Sequence, residues 1–269
     1  MKNQQLRIIV PVKQVPETKA VKMDEATGTI IRHGVTAIVN PLDLYAIATA
    51  LQLKAHCGAE VYAISMGPPQ AAAALRETLA MGIDHAVLVS DRAYAGSDTW
   101  ATAAILAAAI RHLGGFDLII CGERATDGDT GQVGPELAAA LDLPVLTYLN
   151  RFELDGSSYY AVRPVEHGIE ELCGELPALI TVVKEIAEPG LPTLDGKIRA
   201  RLAHIPVLTQ KELRVNSDEI GLNGSPTRVV KIFRPKLARQ CQMVFANEAA
   251  GIDAACCQLL DFLHNREGC

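Results

Sequence analysis

Basic residues are in the minority: 25 Lys and Arg stand against 31 Asp and Glu, a formal charge of −6. That field repels a polyanion, so neither nucleic acid nor an anionic membrane surface is an expected partner. Long apolar runs are missing as well. The longest, Ala101 to Ile110, is about half the ~20 residues that cross a bilayer, and Arg111 and His112 end it, so no membrane insertion is expected. Met1-Lys2-Asn3-Gln4-Gln5 leads straight into a strand-like run without an apolar core and cleavage site, which argues against secretion. Seven cysteines, an odd count with no C-x-x-C pair, suit a reducing compartment, and a cytoplasmic location is expected. Cys256, Cys257 and Cys269 have neither zinc nor cluster spacing.

Several catalytic signatures are absent too. There is no G-x-x-x-x-G-K-[ST] phosphate loop, no G-x-G-x-x-G after the first strand and no G-x-S-x-G elbow. The histidines (His33, His56, His85, His112, His167, His204, His264) are scattered without ligand spacing, so hydrolytic chemistry has no visible machinery.

What is present is a strand and helix alternation. Residues 6–12 read as a buried strand, and a hairpin around Ala26-Thr27-Gly28 follows. Asn40-Pro41 supplies an N-cap and a first-turn proline to a helix that runs to Gly58. Strands are expected at Glu60–Ser65, His85–Ser90 and Leu118–Cys121, with helices at Gln70–Met81, Asp98–Leu113 and Thr130–Leu141 between and after them. The sequence then turns strand-rich, at Thr147–Leu154, Tyr159–Val165 and Ala178–Val183. The fold class expected is α/β, a doubly wound mostly parallel sheet with an antiparallel edge and an extended C-terminal arm. A nucleotide-binding domain over 1–185 would precede an arm over 186–269, rich in proline and glycine and ending in a helix at Ala249–Leu263. An arm with so little core of its own is expected to lie against its own domain or a partner.

The connection after Cys121 carries the sharpest signal: Gly122, Glu123, Arg124, Ala125, Thr126, Asp127, Gly128, Asp129, Thr130, Gly131, Gln132 and Val133, followed by Gly134-Pro135. It leaves the carboxyl end of a parallel strand and enters a helix, where open α/β sheets bind ligands. Glycines allow close backbone approach, and the helix N-terminus offers free N–H groups to a phosphate. The alternative is an acidic turn that only caps a helix. Asp127 and Asp129 are expected to accept hydrogen bonds from loop N–H groups. A calcium loop fails, because its twelfth position is Ala138 where a bidentate Glu belongs.

At these residues the chain resembles the beta subunit of electron-transfer flavoproteins. The resemblance rests on Val12-Lys13-Gln14-Val15-Pro16, Asn40-Pro41-x-Asp43, Ala80-Met81-Gly82, the loop from Cys121 to Pro135, and Leu176-Pro177-Ala178 to Glu188-Pro189. It implies a heterodimer with a larger alpha subunit that carries a redox FAD, and a nucleotide in this chain touching Pro11, Asn40, Pro41, Leu42, Asp43, Met66 and Gly122 to Val133. It also implies docking on a dehydrogenase, such as an acyl-CoA dehydrogenase, through Leu194; here the usual Glu-Pro-Arg nearby reads Glu188-Pro189-Gly190.

The family has two chemistries. Housekeeping members bind a structural AMP in this subunit, and bifurcating members bind a second FAD there, oxidise NADH and split the electron pair, with ferredoxin or flavodoxin among the acceptors. Ser65-Met66-Gly67-Pro68-Pro69, Asp91 to Thr102, and Arg163-x-x-Glu166-x-Gly168 look like the second group. Arg163 and Glu166 are candidates for tuning a flavin ring, or simply an ion pair on an exposed strand. A nucleotide-binding sensor on a related α/β fold is the rival of another class, and the Ser-Gly-Gly phosphate loop it needs near the first strand is missing.

Overall fold

The computed structural model describes residues 5–17, 22–23, 30–31, 37–230 and 249–264. The chain divides into two compact units, Met1–Val230 and Lys231–Cys269. The first opens with β1 (Arg7–Pro11), β2 (Gln14–Pro16), β3 (Lys22–Met23), β4 (Ile30–Ile31) and β5 (Ala37–Val39). β3 and β4 pair antiparallel across the expected hairpin, whose turn at Ala26-Thr27-Gly28 lies outside the described residues. Helices and strands then alternate through α1 (Asp43–Cys57), β6 (Glu60–Met66), α2 (Ala72–Met81), β7 (His85–Val89), α3 (Thr99–His112), β8 (Leu118–Gly122) and α4 (Val133–Leu141). Five strands follow: β9 (Val145–Leu149), β10 (Arg151–Asp155), β11 (Ser158–Val165), β12 (Gly168–Glu175) and β13 (Ala178–Val182). The unit closes with α5 (Leu194–Leu202), β14 (Val207–Leu208), α6 (Gln210–Leu213) and α7 (Gly221–Gly224); the second unit contains α8 (Ala249–His264).

Seven strands form one sheet in the order β14-β7-β6-β1-β8-β13-β9, and every neighbouring pair is parallel. From β1 the chain winds outward to β6 and β7 on one side and returns on the other at β8. The winding therefore reverses between β1 and β8, the place where α/β sheets open a crevice.

Alternation along the central strands explains the two layers. Ile8 and Val10 of β1, with Leu118 and Ile120 of β8, pack on Ile47 and Leu53 of α1 and Leu75 of α2. Ile9, Ile119 and Cys121 face the other way, onto Ile105 and Leu106 of α3 and Leu137 of α4. A strand buried on both faces must be apolar throughout, which is why these strands read as unbroken hydrophobic runs.

The antiparallel strands beside the sheet edge form a meander of their own, β10-β11-β12, adjoining β9 through the Asn150 N–H, which donates to the Val162 carbonyl. The single strand expected at Thr147–Leu154 is two, broken at Asn150. α4 begins at Val133 rather than Thr130, because Gly131 has φ 65° and cannot belong to a right-handed turn. After residue 185, α5 packs on α2 and β14 pairs with β7 as the sheet's outer strand. Gly196 makes the first contact possible, since a Cβ there would collide with the Ala80 carbonyl. Among the described residues no helix is long and apolar enough to cross a membrane.

Candidate functional site

The carboxyl ends of β1, β6, β7 and β8 open into a cleft of about 970 Å³. Pro11 to Lys13, Ile64 and Met66 form its floor. The loop from Gly122 to Gly134 makes one wall, and residues 90–99 with Thr102 and Leu106 of α3 make the other.

Asn40 and Asp43 fasten the floor to the first wall. The Lys13 N–H donates to Asp43 Oδ2 at 2.7 Å and Asn40 Nδ2 to Asp43 Oδ1 at 2.8 Å. Asn40 Nδ2 also donates to the Arg124 carbonyl, while its Oδ1 accepts the Thr126 N–H. Asn40 therefore does not cap α1 as expected: the helix starts at Asp43 without a side-chain cap, and the buried amide is spent on the loop instead. Burial pushes the Asp43 carboxyl up to about 7, against the hydrogen bonds from Lys13 and Asn40 and the Lys13 charge that pull it down. Gly122 is required beside it, since a Cβ would stand 2.5 Å from Asp43 Oδ1 and 2.8 Å from the Leu42 carbonyl.

The loop acids are partnered by cations, not by loop N–H groups as expected. Lys13 Nζ meets Asp127 at 2.7 Å and Arg124 Nε meets Asp129 at 2.8 Å, with Glu123 3.5 Å from Arg124. Lysine and arginine reach further than a turn amide and bring opposite charge to the acids, which weakens the repulsion an anion would meet at this wall. Gln132 gives α4 no side-chain cap, which leaves the N–H groups of its first turn to other acceptors.

The opposite wall is held from behind. Asp98 caps α3 by accepting the Ala101 N–H, and its Oδ2 takes both the N–H and the hydroxyl of Thr227, at 2.9 and 2.8 Å. Burial alone would raise the Asp98 pKa, but these bonds and that to Ser225 hold the carboxyl below its usual range. The Asp98 N–H donates to Ser225 Oγ, the Gly221 N–H to Ser97 Oγ and the Gln210 N–H to Asp91 Oδ2. Tyr94 fills the wall with its hydroxyl buried and unpaired, and burial, then Asp91 and Glu212, push its pKa up to about 12.

The model of the electron transfer flavoprotein domain matches residues 27–213. The chain is 42% identical over 243 residues, 90% of its length and 93% of the relative's, to the electron transfer flavoprotein subunit beta of Thermoanaerobacterium thermosaccharolyticum. The chain belongs to the electron transfer flavoprotein family, as a beta subunit. It is also 42% identical over 250 residues to the caffeyl-CoA reductase-Etf complex subunit CarD of Acetobacterium woodii, covering 91% of this chain and 95% of that one. The acryloyl-CoA reductase electron transfer subunit gamma of Anaerotignum propionicum is 42% identical over 237 residues, 86% of this chain and 89% of its own.

In this beta subunit Pro11, Asp43, Met66, Gly122, Glu123, Arg124, Ala125, Gly128, Thr130, Gly131, Gln132 and Val133 all line the one cleft. Asn40 and Asp127 stand behind that lining as struts, Thr126 as Asn40's donor and Asp129 as Arg124's counter-ion, and Leu42 contributes the carbonyl under Gly122. Pro41 lies in the turn ahead of α1 and does not line the cleft. Leu194 is elsewhere, in the first turn of α5 and 76% exposed. The site reading left out Lys13, Tyr94 and the Ser97-Asp98-Thr99 stretch. Asp98, expected as the first residue of a helix, is its N-cap, and its place on the cleft depends on the fold.

Proposed function

We propose that the cleft holds FAD and that this chain, paired with an alpha subunit, passes electrons from NADH to the alpha-subunit FAD and on to partner redox proteins by electron bifurcation. The observation that carries this is the extent of the cleft. About 970 Å³ is at the top of the ~300–1,000 Å³ of small-molecule sites, and two walls face each other across it. A nucleoside monophosphate would engage the Gly122 to Gly134 wall and leave the wall of residues 90–99 without a ligand. The residues fit an anionic dinucleotide: the loop acids are paired, the α4 N-terminus is uncapped, and Gly131 keeps the turn free of a side chain.

Bound FAD would supply hydride acceptance and one-electron release, which no side chain can provide. The loop N–H groups and the α4 N-terminus hold its phosphates. Lys13 and Arg124 offset most of the wall's acidic charge, and Asp98 fixes the start of α3 on the other side. The names of two relatives pair them with CoA-ester reductases, which supports a dehydrogenase of the acyl-CoA type as redox partner, docking at Leu194, with ferredoxin or flavodoxin as the second acceptor.

The denatured heterodimer is expected to release two FAD and no AMP, and NADH to reduce the intact complex. One FAD with one AMP, and no reaction with NADH, overturns the FAD assignment in favour of a structural AMP. Gly131→Val, which adds a branched side chain at φ 65° within 3.4 Å of the Glu123 carbonyl, is expected to strip nucleotide from this subunit alone. Full retention in a folded Gly131→Val heterodimer would move the ligand off this loop.

A further inference from the structure

Tyr148 has φ 60°, a left-handed conformation that a bulky aromatic in a strand almost never adopts. The strand around it is irregular in a directed way. Leu146 and Leu149 of β9 both lie in the core on the α1 and α2 side, three residues apart, where regular alternation would pair Leu146 with Tyr148. The register with β13 shifts between Ile180 and Val182, and the Tyr148 N–H donates instead to Thr181 Oγ1 at 2.9 Å. The result is a tyrosine 45% exposed, off the core face.

Its hydroxyl points to the nucleotide loop. A Cβ built on Gly131 would stand 3.2 Å from Tyr148 Oη, and one built on Gly134 would stand 2.8 Å from Thr181 Cγ2. Thr181 thus holds the Tyr148 amide with its hydroxyl and lies against the first turn of α4 with its methyl. Strain of this kind persists where the surroundings over-determine it, and it gathers at ligand sites.

We infer that Tyr148 is a positioning residue for the nucleotide loop: its hydroxyl braces the Gly131 turn at the entry to α4, and the β9 bulge exists to aim it there. This rests on the loop being the nucleotide cradle.

The test uses the heterodimer with Tyr148→Phe and Tyr148→Gly, depleted of nucleotide and titrated with whichever nucleotide the wild type releases from this subunit. Tyr148→Phe, which removes the oxygen that stands against Gly131, is expected to weaken binding about two- to tenfold by loosening the turn, at an unchanged thermal midpoint. Tyr148→Gly relieves the backbone, so its midpoint should equal or exceed wild type while binding weakens further. Wild-type affinity in both variants overturns the inference, as does a loss of affinity in Tyr148→Phe that is matched by a fall in its midpoint. A wild-type heterodimer that releases no nucleotide from this subunit would instead overturn the functional reading beneath it.

Discussion

Asp43 lies at the cleft floor, holding the Lys13 amide and the Asn40 side chain, and burial pushes its pKa to about 7, above its unfolded value of 3.8. Between those values the folded chain binds the proton more tightly than the unfolded one, so this group's contribution to stability is present below about pH 4 and lost as pH rises through about 7. The full span is on the order of 4 kcal/mol at most. Urea midpoints of the heterodimer should therefore fall between about pH 5 and about pH 8, and Asp43→Asn, which keeps one acceptor and cannot ionise, should flatten that slope. An unaltered slope in the variant would assign the titration to another group. At this scale the sequence singled out residues that the fold gathers at one cleft, but not always the bonds they make there. Asn40 sits where a helix cap belongs, yet its bonds go to Arg124 and Thr126, more than 80 residues away, and no local pattern encodes a contact at that distance.

Elements were legible where burial is two-sided or periodic. β1, β6, β7 and β8 are mostly apolar along both faces because helices cover both sides of the sheet, and turn residues bound them. β13 was harder to place. It follows an antiparallel meander in sequence, yet it inserts between β8 and β9, and only the Leu118 to Gly122 register, remote in sequence, reveals that. The break of β9 from β10 at Asn150 also escaped the pattern, since the two strands part to different partners, β9 to β13 and β10 to β11, which the local sequence does not encode. The N-terminus of α3 gives this scale its prediction. Asp98 caps the helix and also accepts two bonds from Thr227, so Asp98→Ala should cost about 2–5 kcal/mol, from a cap of ~0.5–2 and a hydrogen bond to a charged group of ~1.5–3. Thr227→Val removes one of the shared bonds. In a double-mutant cycle read by urea unfolding, the two losses should fall short of additivity by about 1 kcal/mol; additive losses would mean that the segment after α7 does not hold this wall.

The molecule as a whole leaves apolar side chains in water within each of its two units. In the first, Leu191 is 91% exposed, Leu194 76% and Leu202 81%, and α5, already packed on α2 through Gly196 and Ala200, turns Leu194, Ile198 and Leu202 outward at helical spacing. In the second, Ile252, Leu259, Leu260 and Leu263 share one face of α8, and each is more than half exposed. The sequence had already set the α8 stripe apart by its period, and Leu194 by resemblance, but it could not show that α5 keeps an apolar row free after packing on α2. Exposure of so much apolar area on one helix face favours association over a soluble monomer, and we propose that these stripes meet another chain. Expressed without an alpha subunit, the chain should therefore aggregate or self-associate and hold little flavin, and co-expression with the alpha subunit should restore a soluble heterodimer. Replacing Leu259, Leu260 and Leu263 by Gln should improve the behaviour of the isolated chain and weaken the heterodimer, with light scattering and size exclusion as the readouts. A monodisperse, flavin-loaded monomer of the unaltered chain would show that these stripes need no partner, and would place the whole cofactor site within this subunit's own stability.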